Sequence, residues 1–173
     1  MQELLDRIAL HDLVMRYCRG ADRRDFALVR ACYHDDAIDD HGAMFKGTAD
    51  EFVAWLPEIT SHWSLTRHAI SNSLFVIDGD RAEGEHYVEA WHRTHGPEPK
   101  LFVALGRYLD KYERRGGLWK FTYRSLVFDH GQIVPVDLPG FERMGKDAPH
   151  GANSRADPSY AYPLLAGLSP EPA

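Results

Sequence analysis

The chain has 173 residues, the length of one domain, and its 44% hydrophobic and 27% charged content suits a soluble globular fold with a single core. Its formal charge of −6 carries no basic stripe, which argues against a nucleic-acid partner. Glu3, Asp6, Arg7 and Asp12 interrupt the N-terminus, and no run reaches the roughly 18 apolar residues of a membrane span, so a cytoplasmic protein without membrane contact is expected.

Residues 2–21 read as a helix, because Leu4, Leu5, Ile8, Leu13, Val14, Tyr17, Cys18 and Ala21 recur at spacings of three and four. A turn over Asp22–Asp25 and a short helix over 26–33 follow. Asp35 and Asp36 open a short strand near 37–39, and Gly42 and Gly47 bracket a hairpin turn. Thr48 with Glu51 forms a capping box that starts a third helix running to Ser61. From Ser64 the apolar period changes to two, giving strands over 65–77, 81–94, 100–114 and 118–130 with Gly-rich turns between them. Three helices followed by an antiparallel meander make an α+β fold, with the helices on one face of a bent sheet. From Pro135 the periodicity stops, so residues 1–137 form the domain and 138–173 an irregular tail on that domain or on a neighbouring subunit.

Alternation places Thr66, His68, Ile70, Asn72 and Leu74 on one face of the first long strand. His68 is then either a satisfied core histidine or a general base. His86 and His92 share a face of the next strand. Phe102, Ala104, Gly106, Tyr108 and Asp110 share one of the third, where Gly106 marks either room for a ligand or a bulge. In the last strand Lys120, Thr122, Arg124, Leu126 and Phe128 lie on one face and Trp119, Phe121, Tyr123 and Val127 on the other. Arg124 is a surface charge unless it faces a pocket, where it would clamp an anion or leaving group. Cys18 and Cys32 read as buried free thiols. There is no HExxH, CxxC, Gly-rich phosphate cradle or GxSxG elbow, so neither metal nor cofactor is expected.

Three blocks together carry a resemblance: Tyr17-Cys-Arg-Gly-Ala-Asp22-Arg-Arg-Asp25-Phe26, Leu65-Thr-Arg-His68, and Tyr112-Glu-Arg-Arg-Gly-Gly-Leu-Trp119-Lys-Phe121. Over residues 2–137 the chain resembles the SnoaL-like branch of the nuclear transport factor 2-like superfamily. The resemblance implies a cone-shaped barrel of a strongly curved, mostly antiparallel sheet, with three N-terminal helices closing a central pocket. Its members include scytalone dehydratases, bile-acid dehydratases and hexachlorocyclohexane dehydrochlorinases, which perform eliminations without a cofactor. By motif position, their catalytic His–Asp pair falls on His68 and Asp22. A bile-acid dehydratase Tyr falls on Tyr17, a dehydrochlorinase Arg on Arg124, and two scytalone dehydratase pocket residues on His92 and Tyr108. That enzyme's paired tyrosines fall on Ala21 and near Asp40 or His41, so its water activation is not reproduced, while Asp40 and His41 are expected among the substrate-binding residues.

The resemblance thus implies a lyase of the dehydratase kind, with His68 and Asp22 as the base and Tyr17 or Arg124 assisting the leaving group. Phe102, Tyr108, Leu126 and Phe128 would wall the pocket for a small hydrophobic or aromatic, ring-bearing substrate. A lyase acting on lignin-derived aromatic diols, a ketosteroid-isomerase-like isomerase and a non-catalytic binding protein stay open as alternatives. An outer sheet face carrying Tyr87, Trp91, Trp119, Phe121 and Tyr123 would mark an interface, and a homodimer or homotrimer is expected. Phe141, Tyr160, Tyr162, Leu164 and Leu165 would let the tail cover a pocket mouth or a neighbour.

Overall fold

The computed structural model describes residues 1–136 and 138–170, leaving aside the side chains of Leu138, Phe141, Glu142 and Met144. The expectation for Phe141 and the last three tail residues therefore lies outside the described residues. Helix α1 spans Gln2–Arg23 and buries Leu10, Leu13, Val14, Tyr17, Cys18 and Ala21, whereas Leu4, Leu5 and Ile8 of its first turns stay exposed. It runs beyond the predicted end because Arg24, rather than a glycine, adopts the left-handed conformation (φ 52°) and closes the helix onto the Ala21 and Gly20 carbonyls. Asp22 is thereby held inside the last helical turn. At Gly20 a β-carbon would meet the Val29 side chain at 2.8 Å, so its absence lets the next helix pack closely. That helix, α2 (Phe26–Ala31), is capped by the Asp25 carboxylate, which accepts from the Leu28 N–H.

Strand β1 (Tyr33–Asp40) is longer than expected and pairs antiparallel with β2 (Lys46–Thr48) across a turn at Gly42, whose φ of 62° suits glycine. Gly47 lies within β2 and does not form the turn. Helix α3 (Ala49–Ser61) starts at the expected capping box, Thr48 accepting from Glu51 N and Glu51 accepting from Thr48 N. Strands β3 (Trp63–Asp78), β4 (Arg81–Thr94), β5 (Lys100–Arg115) and β6 (Leu118–Pro135) complete one sheet. Its order is β2-β1-β6-β5-β4-β3, and β1–β6 is the parallel pair. The three N-terminal helices cover its concave face, where Leu10, Val14, Tyr17, Val29, Tyr33, Phe52, Tyr112 and Phe121 form the core. Among the described residues no helix is long and apolar enough to cross a membrane.

Register shifts correct the strict alternation. An extra residue in β3 between Ile70 and Ser73 turns Asn72 and Leu74 outward and brings Phe75 into the core. An extra residue in β6 at Thr122 shifts the pairing from Lys111↔Tyr123 to Tyr112↔Phe121. Trp119 and Phe121 consequently point inward together with Arg124 and are not on the outer face. The Trp119 indole donates to the buried Asp6 carboxylate at 2.9 Å. Leu74, Val76, Tyr87 and Leu109 are among the apolar strand residues that stay exposed.

The tail is not irregular throughout. It holds α4 (Leu138–Gly145), a 3-10 turn (Pro158–Ala161) and α5 (Pro163–Ala166). Its later part is tied to the corner between α1 and α2. The Tyr160 hydroxyl donates to Asp25 at 2.9 Å and Ser169 also donates to Asp25, while Arg23 pairs with Asp157 at 3.2 Å.

Candidate active site

The end of α1 and the first half of β3 bring Asp22 and His68 together. One Asp22 oxygen accepts from the His68 backbone N–H at 3.0 Å, and the other contacts His68 Nδ1 at 2.7 Å. A carboxylate only accepts, so Nδ1 carries the hydrogen and Nε2 of the neutral ring keeps its lone pair. Two bonds to one residue fix the ring's orientation as well as its tautomer.

His68 lines an apolar cavity of about 470 Å³ between the helices and the concave sheet face. That size holds a ligand with one or two rings. Trp55, Leu56 and Ile59 of α3 form one wall, and Val88, Ala90, Phe102, Ala104 and Leu126 the other. Phe128 lies at the rim, more than half exposed. The walls also carry a few polar groups. His92 lies across the β3–β4 pairing from Thr66, with its ring 5.1 Å from Trp63 and 5.8 Å from His68. Burial, and then the neighbouring His68, push its imidazole down to about 4, so it is neutral at physiological pH. Neither His92 Nδ1 nor Thr66 Oγ1 has a hydrogen-bond partner, although both are buried. Both atoms are sealed behind the cavity's surface, so they are unsatisfied polar groups of the wall rather than open ligand positions.

Tyr17 and Tyr108 also line the cavity and are almost fully buried. Burial raises both phenols far above their ordinary value, with the Asp39 charge next for Tyr17 and the Tyr17 phenol next for Tyr108. They therefore stay protonated, and each can donate a hydrogen bond.

Arg124 requires a correction. Strand parity aims it inward, but it does not line the cavity. Its guanidinium is fully buried, bidentate to Asp110 at 2.8 and 2.7 Å, and packed 4.1 Å from the ring centres of Tyr17, Tyr108 and Phe121. It braces the two phenols from behind instead of clamping a ligand. Asp110 also accepts from the Tyr112 hydroxyl, which contacts the buried His86 at 2.8 Å. Burial pushes His86 down to about 4, so it too is neutral.

Asp40 is likewise misplaced as a pocket residue. It pairs with Lys46 at 2.7 Å and accepts from the Tyr123 hydroxyl at 3.0 Å, away from the cavity. His41 does line the cavity, and its Nδ1 contacts Asp39 at 2.5 Å. Asp39 was not singled out in the sequence. The signal for it was the two-residue spacing Asp39–His41, which puts both side chains on one side of an extended chain. Both readings of Gly106 hold: it lines the cavity, and a β-carbon there would meet the Val127 carbonyl at 2.4 Å, where an extra β6 residue shifts the pairing. Thr66, Trp55 and Trp63 are further pocket residues that the sequence did not mark. Among the described residues no group of three or more His, Cys, Asp or Glu side chains could hold a metal ion.

Comparison with known proteins identifies the family and the fold. The family model described as SnoaL-like domain matches residues 2–125. No curated protein matches. The Kfla4162 protein from Kribbella flavida is similar at 24% identity and TM-score 0.70, over 75% of this chain and 95% of that one. A candidate scytalone dehydratase from Novosphingobium aromaticivorans gives 23% identity and TM-score 0.69, over 75% and 88%. A hexachlorocyclohexane dehydrochlorinase (LinA) Type2 gives 20% identity and TM-score 0.70, over 79% and 92%. At these identities the likeness to the solved structures is one of fold.

Proposed function

The chain belongs to the SnoaL-like domain family, within the nuclear transport factor 2-like superfamily, and from that premise we propose that it is a cofactor-independent lyase. It eliminates a group from a small, hydrophobic, ring-bearing substrate, in the manner of a dehydratase. The observation that carries this reading is the 2.7 Å contact of His68 Nδ1 with Asp22, made by a ring that lines an apolar cavity.

In this mechanism the substrate ring packs among Trp55, Phe102 and Leu126. Nε2 of His68 takes a proton from a carbon made acidic by a neighbouring carbonyl or ring. Asp22 stabilises the imidazolium that forms and does not itself take the proton. Tyr17 and Tyr108, held protonated by burial, donate to the oxygen on which charge develops. General-base catalysis supplies about 10²–10⁴-fold, and the remainder comes from orientation in a site that excludes water. A carbon acid inside a 470 Å³ cavity with few polar groups has little competing solvation, which favours this chemistry over hydrolysis.

The same two phenols support a second reading, an isomerase that returns the proton to another carbon. One experiment separates the readings. A panel of aryl β-hydroxy ketones, aryl diols and β,γ-unsaturated ketones is incubated with the protein and with His68→Ala. The lyase reading expects a conjugated alkene and loss of water from the first group; the isomerase reading expects conjugation without loss of atoms from the last. Binding of these compounds without conversion of any would leave a binding protein as the better account.

A further inference from the structure

The cavity receives a second His–Asp pair. Asp39 and His41 stand two residues apart at the end of β1, while His68 sits on β3, so the pairs enter from opposite edges of the sheet. Asp39 is fully buried. Its Oδ2 accepts from the Tyr33 hydroxyl at 2.6 Å and its Oδ1 contacts His41 Nδ1 at 2.5 Å. The His41 ring lies flat on Phe52 with centres 5.3 Å apart, and its backbone N–H donates to the Phe45 carbonyl at 2.7 Å. The imidazole is thus held at Nδ1 by Asp39 and on one face by Phe52, on a backbone anchored to Phe45. Its Nε2 has no protein partner among the described residues, and the residue lines the same cavity as His68.

We propose that His41, oriented by Asp39, is the general acid that protonates the leaving oxygen while His68 removes the proton from carbon. The inference rests on the lyase reading above and adds its substrate class: a carbon acid bearing a β-hydroxyl, whose departure needs a proton.

The surroundings of the two pairs support the division of labour. Arg124 is committed in a bidentate pair to Asp110, and the ion-pair partner of Asp39 is His41. With Nδ1 held by Asp39, Nε2 is the ring atom from which a proton can be passed into the cavity. At the other pair, His92 stands edge-on to His68 at 5.8 Å in an apolar wall. His92 has no carboxylate partner among the described residues, and burial keeps it neutral, so it does not compete as the acid. In the step, the C–H bond breaks as its proton passes to His68 Nε2 and the carbon–carbon double bond forms. The C–O bond breaks, and the oxygen leaves as water with the proton from His41 Nε2. Solvent then takes the proton from His68 and returns one to His41, so the net change is loss of one water.

The test uses the full chain, the β-hydroxy ketone formed from benzaldehyde and acetone, and its acetate ester, whose leaving group departs without protonation. Exchange of the ketone's α-hydrogens in deuterium oxide reports the base alone. His41→Asn is expected to lower the hydroxide-to-acetate elimination ratio by about 10²–10⁴-fold while α-exchange persists; His68→Ala loses all three. Asp39→Asn, which keeps the imidazole, should lower the same ratio to a smaller extent and guards against misfolding of the first variant. Equal loss of both eliminations and of exchange in the two variants overturns the acid role, and so does an unchanged ratio, which with persisting exchange leaves the base intact. Absence of exchange and elimination in the unsubstituted protein instead overturns the lyase reading, and the acid role with it.

Discussion

Replacing Asp22 by Asn keeps the shape of the side chain and changes what it can hold. The carboxylate accepts twice, from the His68 backbone N–H and from Nδ1; an amide has one oxygen and one NH2. If the oxygen serves the backbone N–H, the NH2 faces Nδ1, which must then be the bare nitrogen. The hydrogen moves to Nε2 and the lone pair leaves the cavity. If the amide is flipped, two N–H groups face each other and a buried amide is left unsatisfied, at about 1–3 kcal/mol. That energy biases the ring toward the inactive tautomer by roughly 5- to 150-fold. Loss of the carboxylate's charge from beside the imidazolium adds to this, for a total of about 10³–10⁴-fold in turnover, the scale known for other His–Asp pairs. Nitrogen-15 spectra of the histidine rings read the tautomer without a substrate, and initial rates read the turnover. A variant that keeps the hydrogen on Nδ1 and loses less than about tenfold in rate would refute the role of Asp22.

Other perturbations test other parts of the structure. Ala104→Phe projects a ring into the cavity, so aromatic ligands should bind about tenfold or more weakly, while thermal unfolding shows the protein still folded. Arg124→Met leaves Asp110 buried without its cation and should cost about 3–5 kcal/mol in denaturant unfolding, with much of the loss recovered by adding Asp110→Asn; a single-variant cost near zero would contradict the bidentate pairing. His86 and His92 are both pushed down to about 4 by burial, so the unfolded chain binds protons that the folded one refuses. Stability is then full above about pH 6.5 and falls as pH drops toward 4. His92→Phe, which keeps a ring against Trp63 and Phe102, should flatten the fall in melting temperature over that window.

Much of this architecture is legible in the sequence because helices and strands advertise themselves by period. The stripe through Tyr17 and Cys18, the capping box at Thr48 and the alternation from Ser64 onward each correspond to an element of the fold. What parity cannot supply is the position of a bulge. The extra residue at Thr122 has no glycine or proline to announce it, yet it moves Trp119 and Phe121 from the outer face to the core. Parity also fails to separate a residue that lines a cavity from one sealed behind the lining. Arg124 faces inward as read, but Asp110, on the neighbouring strand, holds it behind Tyr17 and Tyr108. The contact of Asp22 with His68 joins residues 46 positions apart, so within the sequence only the resemblance of whole blocks suggests it. Asp39 and His41 are the opposite case: a local pair whose shared face was readable, and whose importance depends on which cavity that face meets.

The central claim is that His68 is a base whose removal abolishes chemistry without abolishing recognition. The most direct measurement is of turnover and ligand affinity side by side for the unsubstituted protein and His68→Ala, on whichever compound of the panel reacts. The account predicts a fall of at least about 10²–10⁴-fold in turnover with affinity and melting temperature nearly unchanged. Retained turnover in a folded variant, or loss of affinity in step with turnover, would contradict it.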